Sequence, residues 1–196
     1  MLKISGKCVR MDSKLIGSNI ACQSRYELIH TTLLKFLKAN NLSVLSHEQQ
    51  EMAKSYMEEN SSKTVYRSDA DTLQSRLLQI GGFIMDVLAA YPETVSSYGL
   101  LKRLFDEQYL IEDGKAKLRD KKTIKADSLQ NPNDPDATFR DKHGQKVQGF
   151  VTNLTETVED DKPSIVTSVQ VETAVFADCH FVKEAVENSE RVTNST

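Results

Sequence analysis

An aspartate in the middle of a short strand pattern is the first residue whose position suggests chemistry. In residues 8–16, CVRMDSKLI, the side chains at even positions would lie on one face and those at odd positions on the other, which predicts a β-strand. Asp12 is disfavoured inside a strand by intrinsic preference. Conflicts of this kind between propensity and position are often functional. An exposed strand aspartate without a chemical role is an equally good interpretation of this strand alone.

A basic run offers a second candidate site. From residue 115 to 125, KAKLRDKKTIK, six of eleven residues are basic, and Lys146 belongs to a further basic stretch. Such runs are most often solvated loops or helix ends. The alternative is contact with a nucleic-acid backbone, because Lys and Arg gain affinity by releasing counterions from phosphates. The candidate nucleic-acid-binding residues are Lys115, Lys117, Arg119, Lys121, Lys122, Lys125, Arg140 and Lys142.

Other reactive residue types form no recognisable constellation. The cysteines Cys8, Cys22 and Cys179 are odd in number, far apart and without a C-x-x-C pair, which argues against zinc. Residues 21–115 contain no nucleotide-binding, zinc-protease or serine-hydrolase motif. A metal-independent hydrolase therefore has no nucleophile–base pair to support it. The histidines are scattered and are expected to be ordinary surface or packed residues: His30, His47, His143 and His180.

Composition excludes several classes of protein. Hydrophobic residues make up 39% of the chain and charged residues 27%, which is ordinary for a globular protein. No apolar run approaches the roughly 20 residues that span a bilayer, so we expect no membrane contact. The first residues, MLKISGKCVRMDS, lack the apolar core of a signal peptide, so we expect a cytoplasmic location. The net charge of −3 gives no global signature of nucleic-acid binding.

Helical patterns occupy most of the first two thirds of the chain, and these helices would position the basic run that follows them. Apolar residues recur with helical spacing from about Ser24 until Asn40-Asn41, and Ser46 with Gln49 forms a capping-box signal for the next helix. The segment from Ala70 to Ala90 has one apolar stripe, with Gly81-Gly82 as a kink or a point of close packing. A further helix is expected to stop before Asp113-Gly114. These helices are expected to bury their apolar stripes against one another as a bundle.

Strand patterns dominate the last third. After a polar linker, SLQNPNDPDATF, residues 145–158 and 164–173 predict two strands that pair as an antiparallel hairpin. Gly149 is expected to mark a bulge or a close approach of another backbone. Residues 178–192 return to helix, with Asp178 as N-cap. Its expected apolar face is formed by Phe181, Val182, Ala185 and Val186.

Three segments carry a resemblance to a known family. They are VRMDSKLIGSNIACQSRYELI, SLQNPNDPDATFRDKHGQKVQGFVTNLTE and SIVTSVQVETAVFADCHF. They resemble the DDE transposases of bacterial insertion sequences, and the run NPNDPDATFR…GQKVQGF is the most specific part. The resemblance implies an α/β fold, a partial RNase H-like core in the order β-β-β-α. A large helical insertion would lie between the first and second core strands.

The resemblance also implies a chemistry. Such enzymes use two aspartates and a glutamate to hold two divalent ions, Mg²⁺ or Mn²⁺, for phosphodiester cleavage and strand transfer. Asp12 matches the first aspartate, as catalytic and metal-binding residue. The second aspartate and the glutamate are expected in strands and helices beyond Thr196. The resemblance gives Asp178 and Glu172 no metal role.

The resemblance implies three regions. Residues 1–20 would form the first core strand, residues 21–130 the helical insertion with a basic and polar linker, and residues 131–196 the next two core strands and the first core helix. The chain would then be a transposase fragment that ends before the fourth strand and is inactive alone. DNA, as transposon ends and target, would be the partner, and a homo-oligomer stays open. The alternative function is a non-catalytic helical interaction module.

Overall fold

The computed structural model describes residues 8–142 and 144–193. The fold is mixed α and β, and the described strands all pair antiparallel. The helices are α1 (Arg25–Ala39), α2 (His47–Glu58), α3 (Ser61–Arg67), α4 (Ala70–Ala90), α5 (Tyr98–Gln108) and α6 (Val182–Thr193). The strands are β1 (Val9–Gly17), β2 (Tyr109–Glu112), β3 (Lys115–Leu118), β4 (Thr138–Lys142), β5 (Gln145–Thr157) and β6 (Val166–Thr173).

The chain divides into two compact units. The first, here called the sheet unit, joins the residues up to Asn19 with those from Asp136 onward. The second, the helical unit, spans Ile20–Pro135. The helical unit is therefore inserted in sequence between two parts of the sheet unit. No helix in the described ranges is long and apolar enough to cross a bilayer.

The helical unit has a conventional apolar core. Helices α1 and α2 begin where the sequence predicts. Ser24 and Ser46 each accept a hydrogen bond from the backbone three residues on, completing capping boxes with Glu27 and Gln49. The stripes of α1, α4 and α5 then meet in one cluster. Its fully buried members include Ile29, Leu33, Phe36, Ile80, Ile84, Leu101 and Leu104.

The last helix of this unit stops before Asp113-Gly114 as expected, but it ends earlier and is followed by a hairpin that the sequence pattern did not predict. Helix α5 ends at Gln108, and the chain turns through Asp113 and Gly114, both at positive φ, into a β2–β3 hairpin. An Asp-Gly pair favours such a hairpin turn, which the helical pattern before it masked. The hairpin begins with Tyr109, whose hydroxyl donates to the Leu77 carbonyl at 2.8 Å.

Gly81 lets this tyrosine approach α4. A Cβ atom on Gly81 would lie 2.3 Å from the Tyr109 ring, whereas one on Gly82 would meet nothing within 4 Å. Of the two interpretations of the Gly81-Gly82 pair, close packing is therefore correct for Gly81. The buried ring fills the space that a side chain would occupy.

The predicted polar linker is not a solvated connection. Leu129 and Asn131 are both at most 3% exposed, and Asn131 donates to the Ala21 carbonyl at 3.3 Å. The end of the expected linker becomes strand β4, which pairs with the start of β5. Prolines at 132 and 135 gave this segment the composition of a loop, although its side chains are packed.

The sheet unit is organised around β5, its longest strand. Strand β1 pairs antiparallel with Gly149–Thr157 of β5. The Ser18 N–H donates to Gln148 O, and the Ala174 N–H donates to Gly149 O. Because successive carbonyls of a strand point to opposite edges, β1 lies on one edge of β5, and β4 followed by β6 on the other. The predicted hairpin of β5 and β6 is confirmed.

At Gly149 the backbone at the end of β1 approaches β5 so closely that it leaves no room for a side chain. A Cβ atom there would lie 2.2 Å from Ile16 O and 2.6 Å from the Ser18 nitrogen. Both are backbone atoms, which cannot move aside as a side chain can. The close approach predicted at Gly149 is therefore confirmed.

Helix α6 covers one face of this sheet, but not as predicted. The helix begins at Val182 after a 3-10 turn, Asp178–Phe181, whose N-cap residue is Ala177. Asp178 therefore does not cap the helix. Its expected apolar face is also half wrong, since Phe181 and Ala185 are buried but Val182 and Val186 are 47% and 39% exposed.

Candidate functional site

Asp12 lies at the centre of β1 with its side chain exposed. Opposite it on β5 is Leu154, and opposite Leu154 on β6 is Val169. Directly opposite residues in antiparallel strands share a face, so these three side chains form one row across the sheet. Arg10 and Lys14 flank Asp12 on the same face, two residues away on either side.

The carboxylate closest in register to Asp12 is already engaged. Glu156, on β5, accepts from Arg10 Nε at 2.8 Å and from a second nitrogen of the same guanidinium. In the described parts of the chain, no group of three or more His, Cys, Asp or Glu side chains could hold a metal ion. The described residues around Asp12 therefore do not fit a two-metal site.

The basic run of residues 115–125 is ordered rather than an open loop. Its first part is strand β3, and residues 121–123 form a 3-10 turn. Lys117 pairs with Glu112 across the hairpin at 2.5 Å. Arg119 Nε donates to the carbonyls of Asp106 and Tyr109. Lys117 and Arg119 are therefore held by these contacts, which stabilise the β2–β3 hairpin.

Arg140 and Lys142 belong to the sheet unit, apart in the chain from that run. Arg140 donates to the carbonyls of Ala174 and Phe176 at 3.1 and 3.0 Å. Both cations lie 3.6 Å from Asp178, the residue expected to cap α6. Alternation along β5 places Arg140 on the face opposite Asp12, because Arg140 is in register with Val147 and Asp12 with Leu154. The structure therefore does not bring Arg140 and Asp12 together.

The helical unit also has a cation-lined cavity that the sequence patterns did not predict. Lys63, Arg67 and Arg76 line a space of about 460 Å³ at the start of α4, among side chains that can donate hydrogen bonds. The distance from Arg76 Nη1 to Glu59 Oε1 is 3.5 Å. Tyr66, on the same helix as Lys63, is 90% exposed. The signal was present as Lys63 and Arg67 four residues apart on α3. The polar neighbours in the lining are Asn60, Thr64, Ser68 and Thr72.

Glu59 lies beside this cavity and holds neighbouring side chains in place. It accepts hydrogen bonds from the Tyr26 hydroxyl at 2.8 Å and the Thr64 hydroxyl at 2.6 Å. Burial, followed by the bond to Glu59, raises the pKa of Tyr26 far above its usual range. Burial likewise raises the pKa of Tyr56 to about 12. Both phenols therefore stay protonated at physiological pH.

Among the residues that the structure describes, the histidines and cysteines form no shared site. His30 is buried, and its Nε2 lies 2.9 Å from the Tyr56 carbonyl oxygen. His143 lies outside the described residues. The three cysteines are exposed and not bonded to one another.

Comparisons with known proteins identify no relative. No protein-family model, no curated protein and no solved structure matches the chain.

Proposed function

We propose that this chain is part of the RNase H-like core of a DDE transposase, which acts on DNA in the complete enzyme. The single observation that best supports the proposal is the strand arrangement of the sheet unit. Strands β1, β5 and β6 are antiparallel neighbours in that order, and helix α6 follows. An RNase H-like core begins with three antiparallel strands and a helix in this sequence. The short β4 is an addition to that pattern.

The division of the chain adds support. The helical unit, Ile20–Pro135, is inserted in sequence between β1 and the other strands of its sheet. In the proposed scheme it is an insertion between the first and second core strands, with its own apolar core. Asp12 is the first metal-binding aspartate, exposed at the middle of β1. DNA phosphates are contacted by the basic residues of residues 115–125 and by Arg140 and Lys142.

The complete enzyme would use Mg²⁺ or Mn²⁺ held by three carboxylates, of which the resemblance matches Asp12 alone. We therefore propose that the chain by itself does not cut or join DNA. Purified protein incubated with transposon-end DNA and Mg²⁺ should give no product on a denaturing gel. Product formation that Asp12→Ala abolishes would overturn this part of the proposal.

The family assignment has a separate test. The DNA that follows the codon for Thr196 can be translated and examined for a strand carrying an aspartate and a later helix carrying a glutamate. Finding both would support the transposase, since those residues complete the carboxylate triad. Unrelated sequence on both sides of the coding region would reject it.

One observation favours the second candidate, a non-catalytic interaction module. The sheet face that carries Asp12 is largely apolar and solvent-exposed, with Leu154 at 39%, Val169 at 62% and Val171 at 59%. Exposed apolar patches on a folded unit commonly mark interaction surfaces. DNA affinity separates the two candidates, because contact with phosphates weakens steeply as salt is raised. Absence of binding at low salt would favour the module.

A further inference from the structure

Strand β1 is an edge strand with a complete set of outward hydrogen-bonding groups. Within the described residues it pairs with β5 alone. Val158 N donates to Cys8 O on one side of its register, and Ser18 N donates to Gln148 O on the other. Even-numbered residues of β1 therefore bond to β5, while Val9, Met11, Ser13, Leu15 and Gly17 direct their N–H and C=O groups to the other edge.

None of the nine residues of β1 is buried. An unpaired edge of this length is a template for another strand, and proteins usually protect such edges with charge. The charges of β1 are Arg10, Asp12 and Lys14, of which Arg10 pairs with Glu156. Asp12 and Lys14, of opposite sign, stand one residue on either side of Ser13, the midpoint of the strand.

We propose that the edge of β1 binds the same edge of a second copy of this chain, antiparallel, about a twofold axis at Ser13. In this register all nine residues pair. Asp12 lies opposite Lys14 of the second copy, and the reverse pair repeats across the axis. Met11 lies opposite Leu15 in the same way. The partner is thus a second copy of the chain, selected by complementary charge.

The hydrogen-bond pattern fits this axis. A twofold axis through a residue whose N–H and C=O face outward makes that residue bond to its own copy, and Ser13 is such a residue. The five outward-facing residues of each copy would then form about ten hydrogen bonds, the number found in a typical protein interface. Asp12 and Lys14 fall in the pairs without hydrogen bonds, where side chains approach most closely.

Other registers are poorer. An axis at Met11 pairs only residues 9–13, and an axis at Leu15 pairs only residues 13–17 and sets Lys14 against Ile16. Parallel pairing in register would stack Asp12 on Asp12 and Lys14 on Lys14, which is unfavourable. The proposal does not rest on the transposase assignment, since it uses only the edge of β1. A fourth core strand bound to this edge in a complete transposase would exclude the dimer.

Charge exchange tests the proposal directly. Light scattering on the full chain at low salt should show a concentration-dependent dimer. Asp12→Lys and Lys14→Asp should each raise the dissociation constant about tenfold or more, because each places like charges opposite one another twice. The double variant Asp12→Lys/Lys14→Asp should recover the dimer. Lys183→Glu, a change of charge of equal size at an exposed position of α6, is the control.

A crosslink tests the register. In a chain with Cys8, Cys22 and Cys179 replaced by Ser, mild oxidation of Ser13→Cys should give a disulfide-linked dimer, because opposite Cα atoms lie within disulfide range. Met11→Cys, on the same face but out of register with its own copy, should not. A monomer at all concentrations, a double variant that fails to recover, or equal crosslinking of both cysteine variants would overturn the proposal.

Discussion

In the helical unit the residues that leave solvent are large and apolar, whereas in the sheet unit most of them are polar. Tyr26, Phe36 and Ile84 are each at most 1% exposed in the first, as are Asn153 and Thr155 in the second. Burial of apolar surface contributes about 25 cal/mol per Å² and needs no particular geometry. Buried polar groups are stabilising only when each finds its partner. The two units therefore differ in what a single substitution can damage.

The polar interior of the sheet unit lies under α6 and is connected. Asn153 Nδ2 donates to Gln170 Oε1 at 2.9 Å, and Gln170 Nε2 donates to Glu184 Oε2 at 3.0 Å. Beside it the hydroxyls of Thr167 and Ser189 lie 2.7 Å apart. Apolar side chains of the same strands face solvent on the other side of the sheet, with Val169 and Val171 as the most exposed of them. The face of the sheet that α6 covers is therefore largely polar, and the exposed face carries the larger apolar side chains.

Truncating one apolar side chain in each unit should give the largest difference between the units in the free energy of unfolding. Ile84→Ala, in the core of the helical unit, should lower the free energy of unfolding by about 2–5 kcal/mol, since it removes buried methyl groups and leaves a cavity. Val171→Ala, 59% exposed, should change it by less than about 0.5 kcal/mol. Urea unfolding followed by amide hydrogen exchange in each unit measures both. Equal losses would mean that the exposed sheet face is covered in solution.

Backbone approach in the sheet unit should give the next largest effect. Gly149→Ala places a Cβ against Ile16 O and the Ser18 nitrogen, and it should cost about 3 kcal/mol because neither backbone atom can rotate away. Gly17→Ala, at the end of β1, meets nothing within 4 Å and is the matched control. Protection of the β1 and β5 amides from exchange should fall for the first variant only.

The buried polar network should fail when only one partner is removed. Asn153→Ala leaves Gln170 Oε1 buried without its donor and should cost about 1–3 kcal/mol. The double variant Asn153→Leu/Gln170→Leu removes both members and should recover most of that loss. Unfolding of the sheet unit in urea is the measurement. A double variant worse than the single would show that the polar interior is specifically required.

Sequence patterns predicted the parts of this fold that obey local rules. The capping serine of α2, the strand of Asp12 and the close approach at Gly149 followed from residue type and spacing alone. The β2–β3 hairpin was missed because the helix, whose last predicted apolar residue is Phe105, was expected to stop only at the Asp113-Gly114 pair. The packed linker was missed because burial of Asn131 depends on a distant carbonyl, that of Ala21. The cavity of Lys63, Arg67 and Arg76 likewise needs α3 and α4 to meet.

The smallest expected effect is a pH dependence confined to the helical unit. Burial lowers the pKa of His30 below its ordinary value, and the neutral ring can donate Nε2–H to the Tyr56 carbonyl. Because the unfolded chain then binds a proton more readily than the folded one, stability is complete above the unfolded-state pKa of about 6.5 and falls as pH drops through it. Glu59 opposes the shift, and Lys38 adds to it.

The loss should not exceed about 1.4 kcal/mol for each pH unit below 6.5. Urea unfolding of the helical unit at pH 7.5 and 5.5 measures it, above the range in which Glu27, whose pKa is lowered by its hydrogen bonds to Ser62 and Ser24, would titrate. His30→Gln removes the titrating group and should flatten the profile between these two pH values. A profile unchanged by His30→Gln would place the pH dependence on another residue. The sheet unit, with no buried histidine among its described residues, should show none of this loss.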